Sequence, residues 1–450
     1  MTIFKAYDIR GIYNKDLTDN IAYKIGYFIP TLLKTNKVLV GRDMRVSSPA
    51  LFKALCQGIN DAGATVYNAG LCTTPMVYYG TAHFGFDASV MITASHNPGK
   101  YNGLKITKTN ALPVGFDDGL DLLEKMVNDN QIIVKEERGT VIPYSRELQH
   151  AYFPYLNSFK YDFSNLKIGV DCSNGCSGYF IRQVLGDIPH YINDQPDGTF
   201  PNHEPNPLEP ENIVQLQELV LREKLDIGVI FDGDADRVMF TDENGKFISP
   251  DLLIAAIAHY FGPGEDRLVL HDIRTSRAVK EYLEKMNYRT YMWRVGRAYA
   301  AVKLREINGL YGGELAGHYY FSHFFFSDSG FIASMILLDV FARFKEQNVT
   351  VSMLIERIAG KWANTGEINW KITQKQEAMD AVRDFFLKEE TPDSNFDFDG
   401  YRVDFPNWWF NIRPSNTEPY LRFIAEAANQ ELLDEKLAKT QSIIARFLDI

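Results

Sequence analysis

The chain has 450 residues, 45% apolar and 23% charged, with a formal net charge of −11. That length exceeds one ordinary hydrophobic core and predicts three or four domains. The composition is that of a globular protein, the acid excess excludes nucleic acid as a partner, and no apolar run approaches the roughly 18 residues that span a bilayer.

The first eleven residues carry Lys5, Asp8 and Arg10 and no apolar core, so no secretory signal is expected. Four cysteines, Cys56, Cys72, Cys172 and Cys176, fit a reducing, cytoplasmic setting better than a disulfide framework. Cys172 and Cys176 lack a second pair or a His cluster and read as core or loop residues.

Short β-rich runs alternate with helix-like stretches, the pattern of α/β architecture. In a first unit, residues 1–145, a strand at 38–40 precedes a helix at 49–62. A second strand at 88–93 runs into Ala94-Ser95-His96-Asn97-Pro98-Gly99. The second unit, 146–247, opens with a strand at 167–171 and crosses a Pro- and Asn-rich irregular loop at 194–210. A helix at 212–223 then leads to a strand at 227–231 that ends in Asp232-Gly233-Asp234. The third unit, 248–362, starts at Ser249-Pro250-Asp251, a serine N-cap with proline at the first helical position. Its strands fall at 268–273, 288–295 and near 310–311. The last unit, 363–450, reads as a smaller α+β domain: strand, helix, two or three strands, and a closing helix at 430–447, with a polar connection at 391–400. In each of the first three units an apolar strand meets a Gly-containing polar loop, at 93–99, 232–237 and 312–318. Open α/β sheets bind ligands at the carboxyl ends of their strands, so three such ends facing one another would form one cleft.

Asp232-Gly233-Asp234-Ala235-Asp236-Arg237 is the strongest motif. Three carboxylates on alternate residues, spaced by Gly and Ala, can converge on one hard cation, Mg²⁺ or Ca²⁺. An EF-hand is excluded because Arg237 stands where that loop needs Gly and a strand precedes it. A cation beside a metal site repels it unless a polyanion lies between, so Arg237 implies a shared phosphate. The Ser95 loop offers a hydroxyl beside an imidazole, but neighbours on an extended chain point apart, and no G-x-S-x-G elbow is present. Gly312-Gly313-Glu314-Leu315-Ala316-Gly317-His318 sets a carboxylate and an imidazole among glycines that allow a ligand close. Arg413-Pro414-Ser415-Asn416-Thr417 supplies a guanidinium, two hydroxyls and an amide suited to phosphate.

Together with Phe4-Lys5-Ala6-Tyr7-Asp8-Ile9-Arg10-Gly11, Gly41-Arg42-Asp43-Met44-Arg45 and Tyr101-Asn102-Gly103-Leu104-Lys105, these segments resemble, in order, the α-D-phosphohexomutases, the phosphomannomutase/phosphoglucomutase superfamily. The resemblance implies three similar α/β domains with mixed sheets and a smaller C-terminal α+β domain around a central cleft. It implies a phosphoserine at Ser95, with Mg²⁺ held by that phosphate and by Asp232, Asp234 and Asp236. Arg237 would steady the phosphoserine. Arg10, His96 and Lys105 would line the reacting centre, with Lys105 as proton shuttle. Glu314 and His318 would grip the sugar beside Ala316, and Arg413, Ser415, Asn416 and Thr417 the phosphate that is not reacting, with Arg274 a further contact. A hexose 1,6-bisphosphate would be the intermediate and activator, and hexose phosphates the substrates.

Two departures stand out. Relatives often carry Ser at the place of Ala316, and a Gly-His pair where this chain has Gly296-Arg297, whose guanidinium is expected to bind phosphate. Leu315, in place of the Gln typical of glucosamine mutases, points to a neutral hexose, mannose or glucose. Phosphoglucosamine mutase is the alternative within the family. A Mg²⁺-dependent phosphatase using an aspartyl nucleophile is the alternative outside it, and it leaves the Ser95 loop unexplained; a non-enzymatic sugar-phosphate sensor is disfavoured by intact Ser95, His96, Lys105 and aspartates.

Overall fold

The computed structural model describes residues 3–159, 161–415 and 420–448. Among them the strands form four sheets, one after another along the chain.

In the first sheet the strands Lys37–Arg42, Thr65–Leu71 and Ala88–Ile92 run parallel, with helices between them, and Tyr101–Lys108 returns antiparallel to Ala88–Ile92. Ala88–Ile92 is buried at all five positions, as a strand covered on both faces must be. The turn between these last two strands holds Ser95. In the second sheet Ile168–Asp171 and Ile227–Phe231 are parallel, and Val238–Thr241 pairs back antiparallel, so the aspartate loop is the hairpin connection. The third repeats this plan: Arg267–Asp272 lies parallel to Tyr288–Trp293 and Tyr311–Gly313, and Tyr319–Phe321 turns back after the Glu314–His318 loop. In all three, a strand buried in a mixed sheet delivers one polar loop.

The C-terminal sheet is antiparallel throughout. After the helix Lys375–Glu389 it has four strands rather than two or three. The additional one, Ser394–Phe396, lies in the segment expected to be turn-rich. Its composition is polar because it is an edge strand, paired on one side only, to Tyr401–Phe405. Gln430–Ile444 closes the domain.

The expected helix start at Ser249 is present with Pro250 as its first residue, but the Ser249 hydroxyl donates to Asp251 (2.5 Å) instead of capping a backbone N–H. All four cysteines are buried thiols. No helix among the described residues is long and apolar enough to cross a membrane.

The apolar core is divided unevenly. One large cluster runs from Leu39 and Met91 through Phe231 and Phe331 to Ile358, joining the first three units. The C-terminal unit keeps its own core around Phe386, Trp408 and Phe423. Its junction with the third unit is polar: Arg402 donates to the Ile273 and Thr275 carbonyls, and Arg277 to those of Phe405 and Pro406.

Candidate active site

The Ser95 and aspartate loops, 137 residues apart in sequence, meet: Ser95 Oγ donates to Asp232 Oδ2 at 2.8 Å. Glycine makes this approach possible. A Cβ on Gly233 would lie 2.6 Å from the Ser95 carbonyl oxygen, so no other residue fits without displacing the loop. Ser95 itself has φ 51°, a left-handed conformation rare outside glycine. Ser95 and His96 do not point apart as the sequence predicts. Extended geometry separates neighbours, but the left-handed kink brings Oγ within 3.3 Å of His96 Nδ1.

Arg45 holds the kink. Its guanidinium is fully buried, pairs with Asp43 at 3.1 Å, and donates to the carbonyls of Ser95, Asn97, Pro98 and Tyr101 at 2.6–3.0 Å. Only an arginine's planar fork reaches four acceptors at once. Its place in Gly41-Arg42-Asp43-Met44-Arg45 gave no sign of this role, because the carbonyls it serves lie some 50 residues on.

Asp232, Asp234 and Asp236 are all buried, and one carboxylate oxygen of each falls within 4.8 Å of the others. Burial, with Asp234 and Asp236 alongside, pushes Asp232 well above the usual carboxylate range. Oδ1 of Asp234 and of Asp236 are buried without a hydrogen-bond partner. Crowded, hard, under-satisfied oxygens are the donor set Mg²⁺ requires, so these residues fit that ion. Lys105 reaches the cluster from the first unit: its ammonium bonds Asp234 at 2.7 Å and also Asp236. Burial alone would lower its pKa, but the two carboxylates raise it well above the usual lysine value. In this arrangement its ammonium neutralises the aspartates. Thr74, at the start of the helix Thr74–His83, adds hydroxyl and N–H bonds to Asp234.

His96 is held neutral, first by burial and then by Arg237, Arg10 and Lys105 around it. Arg10 bonds Asn97 Oδ1 at 2.6 Å and Asp8 at 2.5 Å, facing the same loop. Arg237 and His318 form a backbone bridge that ties the second unit's loop to the third's, and Arg237 Nε donates to His318 Nε2 at 3.0 Å. Glu314 is buried, which raises its pKa, and it accepts from Tyr320 Oη (2.5 Å) and Gly296 N (3.1 Å). Ala316 is half-buried on the same loop.

Asp236, His318 and Asp328 form a second group with metal-ligand spacing. Two of its members are already engaged with protein partners: His318 Nδ1 bonds Asp328 Oδ2 at 2.7 Å and Arg297 pairs with Asp328 Oδ1 at 3.0 Å, while Asp236 Oδ1 stands 3.9 Å from His318 Nδ1.

All four domains of one family match in order: the phosphoglucomutase/phosphomannomutase alpha/beta/alpha domains I, II and III over residues 1–131, 144–245 and 249–361, and the family's C-terminal domain over 367–440. The chain is 33% identical to a phosphomannomutase of Escherichia coli over 464 aligned positions, covering 99% of each chain. It is 34% identical to the phosphohexose mutases of Xanthomonas campestris, covering 98% of each. This chain belongs to the phosphohexomutases. The crystal structure of a phosphoglucomutase/phosphomannomutase family protein from Burkholderia thailandensis superposes with a TM-score of 0.85 at 27% identity, covering 99% of this chain and 98% of that one.

Within this phosphohexomutase a second charged cluster lies where the third unit meets the C-terminal one. Arg274 and Arg413 are buried around Glu367, at 3.2 and 3.7 Å, and Arg422 pairs with it at 2.7 Å. Burial works against the Glu367 carboxylate, but the three guanidiniums win and hold it at about 2. Asp272 also pairs with Arg274 at 2.7 Å, so three guanidiniums face two carboxylates and positive charge is left over, as a phosphate site needs. Glu367 went unnoticed in sequence because a lone acid at a strand start carries no motif. Ser415 borders this cluster, its N–H donating to the Tyr420 carbonyl at 2.9 Å. Asn416 and Thr417 lie outside the described residues. Arg297, expected to bind phosphate, pairs through Nε with Asp328 at 3.0 Å and lies 3.6 Å over the Tyr78 ring, with its Nη2 making no hydrogen bond among the described residues.

Proposed function

We propose that this phosphohexomutase interconverts hexose 1-phosphate and hexose 6-phosphate, with mannose and glucose as the sugars, through a phosphorylated Ser95 and a hexose 1,6-bisphosphate intermediate. One observation carries the reading: a serine hydroxyl from the first domain is 2.8 Å from the aspartate triplet of the second.

Asp232, Asp234 and Asp236, with the phosphate on Ser95, would hold Mg²⁺, which when bound supplies charge neutralisation and Lewis-acid polarisation of phosphoryl oxygens. The chain's own groups do the rest. Arg237, Arg10 and Lys105 gather positive charge around Ser95, which favours the dispersed negative charge of phosphoryl transfer. The kink fixed by Arg45 points Oγ into the cleft. Neutral His96, 3.3 Å from Oγ, adds a hydrogen-bonding group without adding charge. Glu314 and His318 orient the sugar hydroxyls, and the Arg274–Arg413–Arg422 cluster grips the distal phosphate. Because donor and acceptor ends of the bisphosphate must exchange places, the sugar has to turn within the cleft while water stays out. The separate core and polar junction of the C-terminal domain support its closing over the substrate as a lid.

Intact-mass measurement tests this directly: purified protein should carry one phosphate on Ser95, removable by substrate. Ser95→Ala should abolish turnover, and its retention would refute the phosphoserine. Comparing mannose 1-phosphate, glucose 1-phosphate and glucosamine 1-phosphate tests the sugar; a clear preference for the amino sugar would overturn the neutral-hexose assignment drawn from Leu315.

A further inference from the structure

A continuous chain of hydrogen bonds leads away from Ser95. Ser95 Oγ donates to Asp232, whose other carboxylate oxygen accepts from the Arg237 N–H at 3.2 Å. Arg237 Nε donates to His318 Nε2 at 3.0 Å, His318 Nδ1 bonds Asp328 Oδ2 at 2.7 Å, and Asp328 Oδ1 accepts from Arg297 Nε at 3.0 Å. The last links are buried: Asp328 is 0% exposed and His318 6%.

Donor and acceptor chemistry fixes the proton on this chain. An arginine has five donors and no acceptor, so His318 Nε2, opposite Arg237, must present its lone pair. The hydrogen therefore sits on Nδ1 and is donated to Asp328, an acceptor when ionised. Arg297 keeps Asp328 ionised from its far side, and Tyr78, from the helix Thr74–His83 of the first domain, backs the guanidinium with its ring face. Neither Asp328 nor Arg297 hydrogen-bonds to Ser95 or the aspartate triplet, although a carboxylate oxygen of Asp328 lies within 4.8 Å of one of Asp236.

We infer that Asp328 is a positioning residue of the reaction: with Arg297 behind it, it locks His318 as the Nδ1–H imidazole and so presents Nε2 as the acceptor that holds the Arg237 guanidinium beside Ser95. This rests on the mutase reading above. It also gives Arg297 a task that its sequence motif does not show, as the counter-ion of Asp328.

Asp328→Asn separates positioning from packing. The amide keeps the shape, but it has one acceptor and one donor side. Arg297 Nε can only donate, so the amide oxygen must face Arg297 and the NH₂ must face His318 Nδ1. Nδ1 then has to accept, the proton moves to Nε2, and Nε2–H opposes the Arg237 donor. A wrong tautomer of this kind disables a histidine while leaving its position intact.

The test uses the full chain with ¹⁵N-labelled histidine, the His318 signals being identified by their absence in His318→Gln. The unsubstituted protein should show a protonated Nδ1 and an unprotonated Nε2; the reverse would overturn the inference without any variant, and without turnover having to be observed. Asp328→Asn should invert the pattern and lower kcat about 100-fold, with KM changed by less than about threefold. In a His318→Gln background the same change should cost less than about a further threefold, because both act through one group. An unchanged tautomer in Asp328→Asn, or losses that simply add, would refute the role. If the unsubstituted chain turned over no hexose phosphate, the mutase reading would fail while the ¹⁵N spectrum still decided the tautomer.

Discussion

Replacing Gly233 by alanine tests whether the two loops must touch for the enzyme to work. The added Cβ would stand 2.6 Å from the Ser95 carbonyl oxygen, against an ordinary contact of 3.4 Å or more. One loop must therefore retreat by about 0.8 Å to restore van der Waals separation. The Ser95 loop cannot give way alone, because Arg45 holds that carbonyl at 2.8 Å and three others beside it. The strain should cost about 1–3 kcal/mol of stability, tolerable in a chain of this size. Catalysis should suffer more, since a displacement near 1 Å in a phosphoryl-transfer site costs about 100-fold in rate. Steady-state turnover of mannose 1-phosphate, the melting temperature and the mass of the phosphorylated protein distinguish the two effects. The expected result is a folded protein with kcat down about 100-fold. A Gly233→Ala enzyme with undiminished kcat would refute the argument that loop contact sets the geometry.

Other expectations follow from the charged clusters. Arg45→Ala strands buried Asp43 and four carbonyls, so chemical denaturation should report a loss of about 3–5 kcal/mol. Glu367 ionises at about 2 in the fold against 4.5 ordinarily; a depressed carboxyl stabilises fully above its ordinary value and loses that contribution as pH falls toward 2. The contribution is at most about 3 kcal/mol. The difference in urea stability between the parent and Glu367→Gln should hence shrink below pH 4.5, and a constant gap would contradict the assignment. Chelation of divalent cations should abolish turnover reversibly while moving the melting temperature little, because Lys105 already neutralises Asp234 and Asp236; calorimetry with and without chelator checks this.

Much of the molecule was legible in its amino acids for definable reasons. Strands such as Ile227–Phe231 are short apolar runs ended by Gly and Asp, and such runs have few other ways to fold. The aspartate triplet and Ser95 were visible because their chemistry is local, written in six consecutive residues each. What was missed depends on groups distant in sequence. Arg45, Thr74 and Glu367 act on partners 46 to 160 residues away, and Asp328 on partners 10 and 31 residues away across a turn and a helix; nothing in their own surroundings marks them. Asp328 is the plainest case: Ser327-Asp328-Ser329 reads as an ordinary helix entry, and Ser329 does cap the helix Gly330–Glu346. The kink at Ser95 was missed because alternation along an extended chain is the default, and the carbonyl grip that overrides it comes from another loop.

The divided core has an evolutionary corollary. The last domain builds its own interior and meets its neighbour through arginines, carbonyls and acids. Under the proposed function, substitutions along that seam would retilt the grip on the distal phosphate while every bond at Ser95 stays as it was. Preference among sugars can thus drift between descendants of one ancestor without passing through an inactive enzyme.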